Sequence, residues 1–565
     1  MSSKPRSRPR SRCRPPRHPS CRCARGTAGT AARSVIVLKL TIDGTEVQVA
    51  PGTNLVEAAA TIGIDIPTYC YHPGLSVVGQ CRICFVEVEG MPRLVTACST
   101  EARDGMVVLT ASPRVKDARA AVMEFLLENH PLDCPVCDQA GECFLQDYSV
   151  EHGLDTTHMV DIRRTFPGLE RRLIGPHVVQ NQNRCIHCTR CVRFTQEISE
   201  THDLTMKSRG NHSYIDTFDG GPFDNPWSAC AADVCPVGAL TVKEFRFRAR
   251  VWHLEDTESI CPGCSIGCNV TVGHLDREVH RFLPRHNAEV NGWWMCDYGR
   301  CLAQGIEERD VARPAARSGG ELRPIAWSEA VPMLVELLQS RPAARVVASA
   351  NLSNEVLYLV KKVLVGQLGL EVVVPVDRGR PRRIKNGHGQ WIDSVDAHPN
   401  SGGARLLGLP LVDAGQLARF VGAANGPLLM LDERAHPWLA SDEAAATLAA
   451  RTVAVFARCE TVLTRSASLL LPAASWVETE GTYTSSTGRV QLARAAFTPG
   501  AQAWPAWRLL HGLQAALGIP SDPDARPERL FAELTATVPA FTGMTYRGLA
   551  RQPGLPVAAE VSDVG

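Results

Sequence analysis

The apolar pattern of the chain starts at Val35-Ile-Val-Leu-Lys-Leu-Thr-Ile42, a strand-like run closed by Asp43-Gly44, the dipeptide most typical of a tight hairpin turn. A second strand follows through Val49, and Pro51-Gly-Thr53-Asn54 then offers a helix cap. Leu55, Ala58, Ala59 and Ile62 recur at helical spacing until Gly63, so two strands and a crossing helix open what reads as a β-grasp domain. After Pro113 the period turns helical again, with Val115, Ala118, Val122, Phe125 and Leu126 on the predicted apolar side. Residues 150 to 180 form a polar connection. From about residue 305 the pattern is α/β, with a strand at Arg345–Ala350, a helix at Asn354–Gly369 and a strand at Glu371–Val376.

Composition changes this picture at the N-terminus. Residues 1 to 34 are rich in Arg, Pro and Ser and hold no acidic residue, which predicts a disordered tail unable to bury a core. Pro5, Pro9, Pro15, Pro16 and Pro19 oppose the amphipathic helix of a transit peptide, so a tail or an early-set start codon is expected, with Cys13, Cys21 and Cys23 as bystanders. A length of 565 residues suggests three to five domains. A net charge of +1 gives no reason to expect nucleic acid. No run of eighteen apolar residues occurs, so the chain is not expected to span a membrane by itself.

The 21 cysteines carry the chemistry, because they fall in tight C-x2-C groups that suit metal ligation in a reducing compartment better than disulfides. Cys185, Cys188 and Cys191, spaced C-x2-C-x2-C, are answered by Cys235-Pro236. Three thiolates on one loop with a remote Cys-Pro are a 4Fe-4S pattern, as in bacterial ferredoxins, whereas zinc ribbons offer two separated pairs. Arg184, His187, Arg190 and Arg193 bring positive charge and N–H donors near that anionic site, although each taken alone reads as part of a solvated face. Cys230 lacks partners and reads as a bystander. Cys261, Cys264, Cys268 and Cys296 (C-x2-C-x3-C-x27-C) give another four thiolates for a cubane, with Gly263 and Gly267 letting backbone amides approach the sulfurs. Cys301 is not expected to be a ligand.

Two further sets stay open on spacing. Cys70, Cys81, Cys84 and Cys98 (C-x10-C-x2-C-x13-C) suit a 2Fe-2S cluster but also zinc. His130, Cys134, Cys137 and Cys143 make a complete ligand set for either zinc or a histidine-ligated cluster.

His130 to Asp147, with Ile66-Pro-Thr-Tyr-Cys-Tyr-His-Pro73 and Gly79-Gln-Cys-Arg-Ile-Cys-Phe-Val-Glu-Val-Glu-Gly90, closely resembles the large iron-sulfur subunits of respiratory complex I, bacterial NADH-quinone oxidoreductase. The resemblance runs from about 35 to 300 and more loosely to about 510. It implies a 2Fe-2S cluster on Cys70, Cys81, Cys84 and Cys98 and a 4Fe-4S cluster on His130, Cys134, Cys137 and Cys143. With the two all-cysteine cubanes this gives one 2Fe-2S and three 4Fe-4S clusters.

Cys261 to Cys296 resembles the cluster at the entry of molybdopterin oxidoreductases, and Val477 to Gln491 with Trp504-Pro-Ala-Trp507 resembles the close of their domain. The chain is too short after this cluster for two cofactor lobes, and no molybdenum cofactor is expected. The fold class expected is multidomain α+β and α/β: a tail (1–34), a β-grasp 2Fe-2S domain (35–112), a His-ligated 4Fe-4S domain (113–165), a ferredoxin-like 4Fe-4S domain (166–250), a molybdopterin-oxidoreductase-type 4Fe-4S domain (253–305) and a shortened α/β region (306–565).

The resemblance implies an electron wire with no catalytic bond chemistry of its own. It would accept electrons from a flavin subunit that oxidises NADH and pass them toward quinone. Implied partners are that subunit, a thioredoxin-like 2Fe-2S subunit and quinone-side iron-sulfur subunits; a membrane is met only through partners, at the cytoplasmic side of a bacterial inner membrane. The rival readings are the cluster subunit of an NAD-dependent formate dehydrogenase, that of an NAD-reducing hydrogenase, and a zinc-stabilised scaffold.

Overall fold

The computed structural model describes residues 37–340, 343–449, 451–500, 502–552 and 554–557. The Arg/Pro-rich segment with Cys13, Cys21 and Cys23 lies outside the described residues. The described residues fall into two compact units, one made of those up to His130 together with Phe144–Arg163, the other of Pro131–Cys143 with those from Arg164 onward.

In the first unit β1 (Leu38–Ile42) and β2 (Thr45–Val49) pair antiparallel about Asp43-Gly44. Both turn residues have positive φ, as a hairpin turn matching the strand twist requires. Leu40, Ile42, Val47 and Val49 point inward and are buried. The helix α1 (Leu55–Ala60) starts where the sequence placed its cap: the Asn54 side chain accepts from the Glu57 amide at 3.0 Å. With β3 (Phe85–Val88), β4 (Val95–Thr96) and β5 (Val107–Leu109) the sheet runs β2-β1-β5-β3-β4, and β1 and β5 are parallel. This is the expected β-grasp arrangement.

The helix α2 (Pro113–Glu128), capped by the Ser112 hydroxyl, corrects one expectation. Its buried residues are Val115, Arg119 and Met123, while Phe125 is 69% exposed. Arg119 reaches inward and donates to the Phe85 carbonyl at 3.0 Å. A cation with a long apolar stem thus takes a core position that hydrophobicity alone would give to Val122 or Phe125. Helix α3 (Phe144–His152) completes the unit, with Tyr148 edge-on to Tyr69.

The second unit begins with a small antiparallel sheet of Arg172–Leu173, Val178–Gln180 and Leu240–Val242. A three-stranded meander follows, Glu255–Ile260, Asn269–Leu275 and Glu278–Pro284. Beyond it lies an eight-stranded sheet in the order Glu321–Pro324, Ala315–Ser318, Leu469–Pro472, Val453–Ala457, Leu428–Met430, Arg345–Val347, Glu371–Pro375, Leu411–Val412. The last six strands are mutually parallel. Neighbouring residues of these strands enter two different cores: Val346, Leu429 and Ala454 on one face, Val347, Leu428 and Val453 on the other. Helices Trp327–Leu338, Ala506–Ala516 and Pro527–Thr537 cover the first face, Ala414–Gly422 and Asp442–Leu448 the second. A parallel sheet buried on both sides explains why these strands read as continuous apolar runs rather than alternating ones.

The predicted helix from Asn354 is present but keeps α-helical bonding only to Leu359; from Val360 to Gln367 the bonding is i→i+5. Glu355 on it is fully buried and accepts from the Thr482 amide and hydroxyl and the Tyr546 hydroxyl. Burial pushes its carboxyl up, which those donors only partly oppose. Asn354 donates to the hydroxyls of Thr482 and Thr484, so this helix is tied to the hairpin Gly481–Thr484/Arg489–Ala493.

Candidate metal centres

Within the first unit the structure brings Cys70, Cys81, Cys84 and Cys98 together. Cys70, Cys84 and Cys98 are buried, Cys81 half-buried. The Cys84 thiol lies 3.5 Å from the Cys98 sulfur, and the Cys70 amide donates to the Cys81 sulfur at 3.5 Å. The loop between them needs positive φ at Gly79 and Arg82 to turn the sulfurs toward one point. Hydrogen bonds from the Cys81 and Cys98 thiols hold the Cys70 thiol down, and their contacts with Cys70 push Cys81 and Cys98 up. Four thiolates this close together repel one another, and a metal ion between them is what would hold all four in that form, which the donor set suits.

The second set is split. His130 belongs to the first unit and Cys134, Cys137 and Cys143 to the second, so its closure rests on the sequence. Cys137 and Cys143 are buried and Cys134 is exposed. Burial pushes the Cys137 thiol up, and the Arg184 guanidinium opposes this.

The third set, Cys185, Cys188, Cys191 and Cys235, lines a small cavity closed by Gln180, Gln182, Ile186, Thr189, Ile215, Val237, Ala239 and Leu240. His187 and Thr189 have positive φ, an uncommon conformation for residues with a β-carbon that curls C-x2-C-x2-C around one centre. Burial pushes Cys185 up to about 12 and Cys235 up to about 11, with the neighbouring Cys188 adding to both. The His187 amide, not its ring, faces a sulfur, donating to Cys185 at 3.4 Å; the ring contacts the Ser213 carbonyl. The expected solvated face is corrected for the three arginines. Arg184, Arg190 and Arg193 are all buried: Arg184 pairs with Asp133 at 2.9 Å, Arg190 donates to the Val234 carbonyl and Arg193 to the Cys188 carbonyl. Their charge is drawn inward because each finds a carboxylate or carbonyl there.

The fourth set, Cys261, Cys264, Cys268 and Cys296, lines a second small cavity with Gly263, Ile266, Met295, Tyr298, Gly299, Arg382, Arg383 and Ile384. Cys296 caps the helix Asp297–Cys301, its sulfur accepting from the Gly299 amide at 3.4 Å. Burial pushes Cys264 up to about 11, and Arg382 opposes it. The loop Cys261–Cys268 is seated by much later segments. Arg382 donates to the Gly263 carbonyl at 2.6 Å and stacks on Tyr298 at 4.0 Å; the Ser486 amide donates to the Ser265 carbonyl, and Gln491 to the Gly267 carbonyl. Cys230 is buried and donates to the Met295 carbonyl, in keeping with a bystander.

Three residues that matter here were missed. A β-carbon on Gly238 would lie 2.3 Å from the Cys137 sulfur, and one on Gly299 2.8 Å from the Cys261 sulfur. Both glycines sit in visible ligand motifs, C-P-V-G and C-D-Y-G, and were legible as close-approach positions. Arg382 had no signal, being far downstream. The fit to clusters is good where it can be tested: four converging sulfurs in enclosed, mostly apolar cavities, with backbone amides aimed at sulfur and glycines where a side chain would intrude.

The chain matches the family models described as 2Fe-2S iron-sulfur cluster binding domain (residues 37–113), NADH-ubiquinone oxidoreductase-G iron-sulfur binding region (119–158), NADH-quinone oxidoreductase subunit 3, ferredoxin-like domain (175–241), NADH-ubiquinone oxidoreductase NDSU1/NuoG-like, 4Fe-4S domain (254–304) and Molybdopterin oxidoreductase (438–515). It is 40% identical over 330 residues to the NADH-ubiquinone oxidoreductase 75 kDa subunit of Reclinomonas americana, covering 58% of this chain and 47% of that one. It is 42% identical over 333 residues to the mitochondrial 78 kDa subunit of Neurospora crassa (59% and 44%), and 37% over 334 residues to an NADH-quinone oxidoreductase subunit of Rickettsia conorii (59% and 49%). The chain spans about half the length of the curated relatives it matches. Among solved structures, an NAD+-reducing [NiFe]-hydrogenase in its H2-reduced state aligns at 30% identity over 38% of this chain and 91% of that one, TM-score 0.35; acetylene hydratase from Pelobacter acetylenicus aligns at 11% over 54% and 74%, TM-score 0.35. The curated relatives and the family models bear out the likeness read from the motifs and the mixed series of 2Fe-2S, 4Fe-4S and molybdopterin-oxidoreductase-like domains. Among the described residues no helix is long and apolar enough to cross a membrane.

Proposed function

We propose that this chain is the large iron-sulfur subunit of an NADH:quinone oxidoreductase, carrying electrons from a flavin subunit that oxidises NADH toward quinone. The observation that carries the reading is the order of four ligand sets along the chain, each inside a segment similar to the corresponding cluster domain of such subunits. The names of the relatives favour it over the formate dehydrogenase and hydrogenase readings. One 2Fe-2S cluster would sit on Cys70, Cys81, Cys84 and Cys98. Three 4Fe-4S clusters would sit on His130, Cys134, Cys137 and Cys143; on Cys185, Cys188, Cys191 and Cys235; and on Cys261, Cys264, Cys268 and Cys296. When bound, they supply one-electron redox chemistry.

The protein's own residues position the sulfurs, exclude water and set the local charge. His130 in place of a thiolate makes its site less negative, which by itself raises a potential. The partners would be the flavin subunit, a thioredoxin-like 2Fe-2S subunit and quinone-side iron-sulfur subunits, at the cytoplasmic side of a bacterial inner membrane. No molybdenum cofactor belongs to the reading. The open cleft of about 490 Å3 beside the parallel strands presents Asp377, Asp432 and Glu433 alongside Arg434 and His398, and the Arg458 guanidinium is engaged by the carbonyls of Ile306 and Glu308, so its lining carries no net excess of free cations for a phosphate-rich ligand.

Iron counting and low-temperature EPR on anaerobically reconstituted chain test this. About fourteen irons and four separable signals are expected, with Cys261→Ala removing roughly four irons and one signal. A colourless, zinc-loaded protein with no reducible signal from the His130 site would overturn it.

Arg382 gives a finer test. Arg382→Gln removes a half-buried cation beside the fourth site, so the potential of that cluster should fall by roughly 50–100 mV. A redox titration followed by EPR reads it, and an unmoved midpoint would show that the guanidinium charge is not felt there.

A further inference from the structure

Outside the four cysteine sets, one group of unlike donors converges among the described residues. His177, just before the strand Val178–Gln180, Glu244, just after Leu240–Val242, and Cys301, closing the helix Asp297–Cys301, place their ligand atoms within 4.8 Å of one another. His177 Nδ1 is 2.7 Å from Glu244 Oε1 and 3.8 Å from Cys301 Sγ. We infer that these three residues form a site for a zinc-class divalent cation, separate from the clusters and open on one side.

Four observations carry this. The donors are one imidazole nitrogen, one carboxylate and one thiol, a set that suits zinc and does not suit an iron-sulfur cubane. The spacing is close to what a tetrahedral ion needs: metal–ligand lengths of about 2.0–2.3 Å put neighbouring donors roughly 3.3–3.7 Å apart, so the sulfur stands near its place relative to His177, the His177–Glu244 hydrogen bond opens by under ~1 Å, and the Cys301 sulfur need only draw in toward Glu244 from within 4.8 Å. The other carboxylate oxygen, Glu244 Oε2, is buried and has no hydrogen-bond partner among the described residues. A plain ion pair leaves that oxygen unsatisfied, whereas a cation between the three groups would satisfy it. Finally, Cys301 borders the open cleft described above, so the site meets solvent at its sulfur side, from which an ion and a water as fourth ligand could enter.

A thiolate and a carboxylate would neutralise the divalent charge. Arg300, the residue before Cys301, is already paired with Asp233. Such an ion would pin the ends of two strands of the ferredoxin-like sheet to the helix that begins after Cys296, clamping the third and fourth ligand sets in register. Sequence reading passed over it because its members are 67 and 57 residues apart and none lies in a recognisable spacing.

The test uses the full chain with its clusters reconstituted anaerobically, dialysed against Zn2+ and then against metal-free buffer. Retention of one zinc per chain is expected, with an X-ray absorption spectrum showing one sulfur at about 2.3 Å and nitrogen or oxygen ligands at about 2.0–2.1 Å. His177→Ala and Cys301→Ser should each lower retention at least about tenfold while iron content and EPR signals stay as in the wild type; Glu244→Gln, which keeps the shape and loses the charge, should do likewise. Zinc held by three or four sulfurs, or wild-type retention no greater than that of the variants, would overturn the inference. The wild-type spectrum decides the matter even if a variant fails to fold.

Discussion

Gly238→Ala is expected to yield a protein about four irons short, lacking the signal of the cluster proposed on His130, Cys134, Cys137 and Cys143 while keeping that of the one proposed on the Cys185 set. Gly238 does not sit in the left-handed region, so the substitution costs nothing in backbone strain. The effect is steric: the new methyl would stand 2.3 Å from the Cys137 sulfur and 3.2 Å from the Gln139 β-carbon. Cys137 can yield only by leaving the rotamer that presents its sulfur to the site. Overpacking of this kind costs about 1–3 kcal/mol, and Gly238→Val should cost more. Iron analysis and EPR of the two variants read the outcome; full iron with an unchanged spectrum would mean that the Cys235–Gly238 turn moves freely and does not press on its neighbour.

Arg300→Leu carries the second large effect, and its readout is stability. The Arg300 guanidinium, 6% exposed, pairs with Asp233 and donates to the Phe282 carbonyl at 3.0 Å. Burial pushes the carboxyls of both Asp233 and Asp297 up, and Arg300 is the leading group opposing that in each case. Removing it strands a buried carboxylate, which costs about 3–5 kcal/mol. Asp297 is also the residue after Cys296 and holds the Ser228 hydroxyl and the Ala229 amide, so the cluster proposed at the fourth site should be lost first as the variant is warmed. Adding Asp233→Asn to Arg300→Leu should recover much of the loss. Thermal unfolding monitored together with cluster absorbance tests this, and a variant within about 0.5 kcal/mol of wild type would show that the pair is idle.

Much of the site was legible because thiolate spacing is a local property. C-x2-C-x2-C and C-x2-C-x3-C declare their chemistry within a few residues, and the β-grasp opening was equally local, written in Asp43-Gly44 and Asn54. What escaped was set by tertiary partners. Arg119 took a core position because the Phe85 carbonyl awaited it, and Arg184, Arg190 and Arg193 went inside for similar reasons. The long region after residue 305 read only as a shortened α/β region; that Arg382, Ser486 and Gln491 seat the fourth cysteine loop follows from packing between segments over a hundred residues apart, which no window of sequence contains. The zinc-versus-iron choice for the first two sets was likewise not in the spacing and needed the likeness to known subunits.

The third and fourth ligand sets each join a tight loop to one remote cysteine, Cys235 and Cys296. In the unfolded chain a metal bridging those positions would close loops of about 50 and 36 residues, and by the usual cross-link estimate each closure is worth about 4 kcal/mol of lost chain entropy. Each prosthetic group would therefore act as a staple as well as a redox centre. Oxidative loss of one would loosen tens of residues at once, so a chain that has lost a cluster should be cut by added protease well before an intact one.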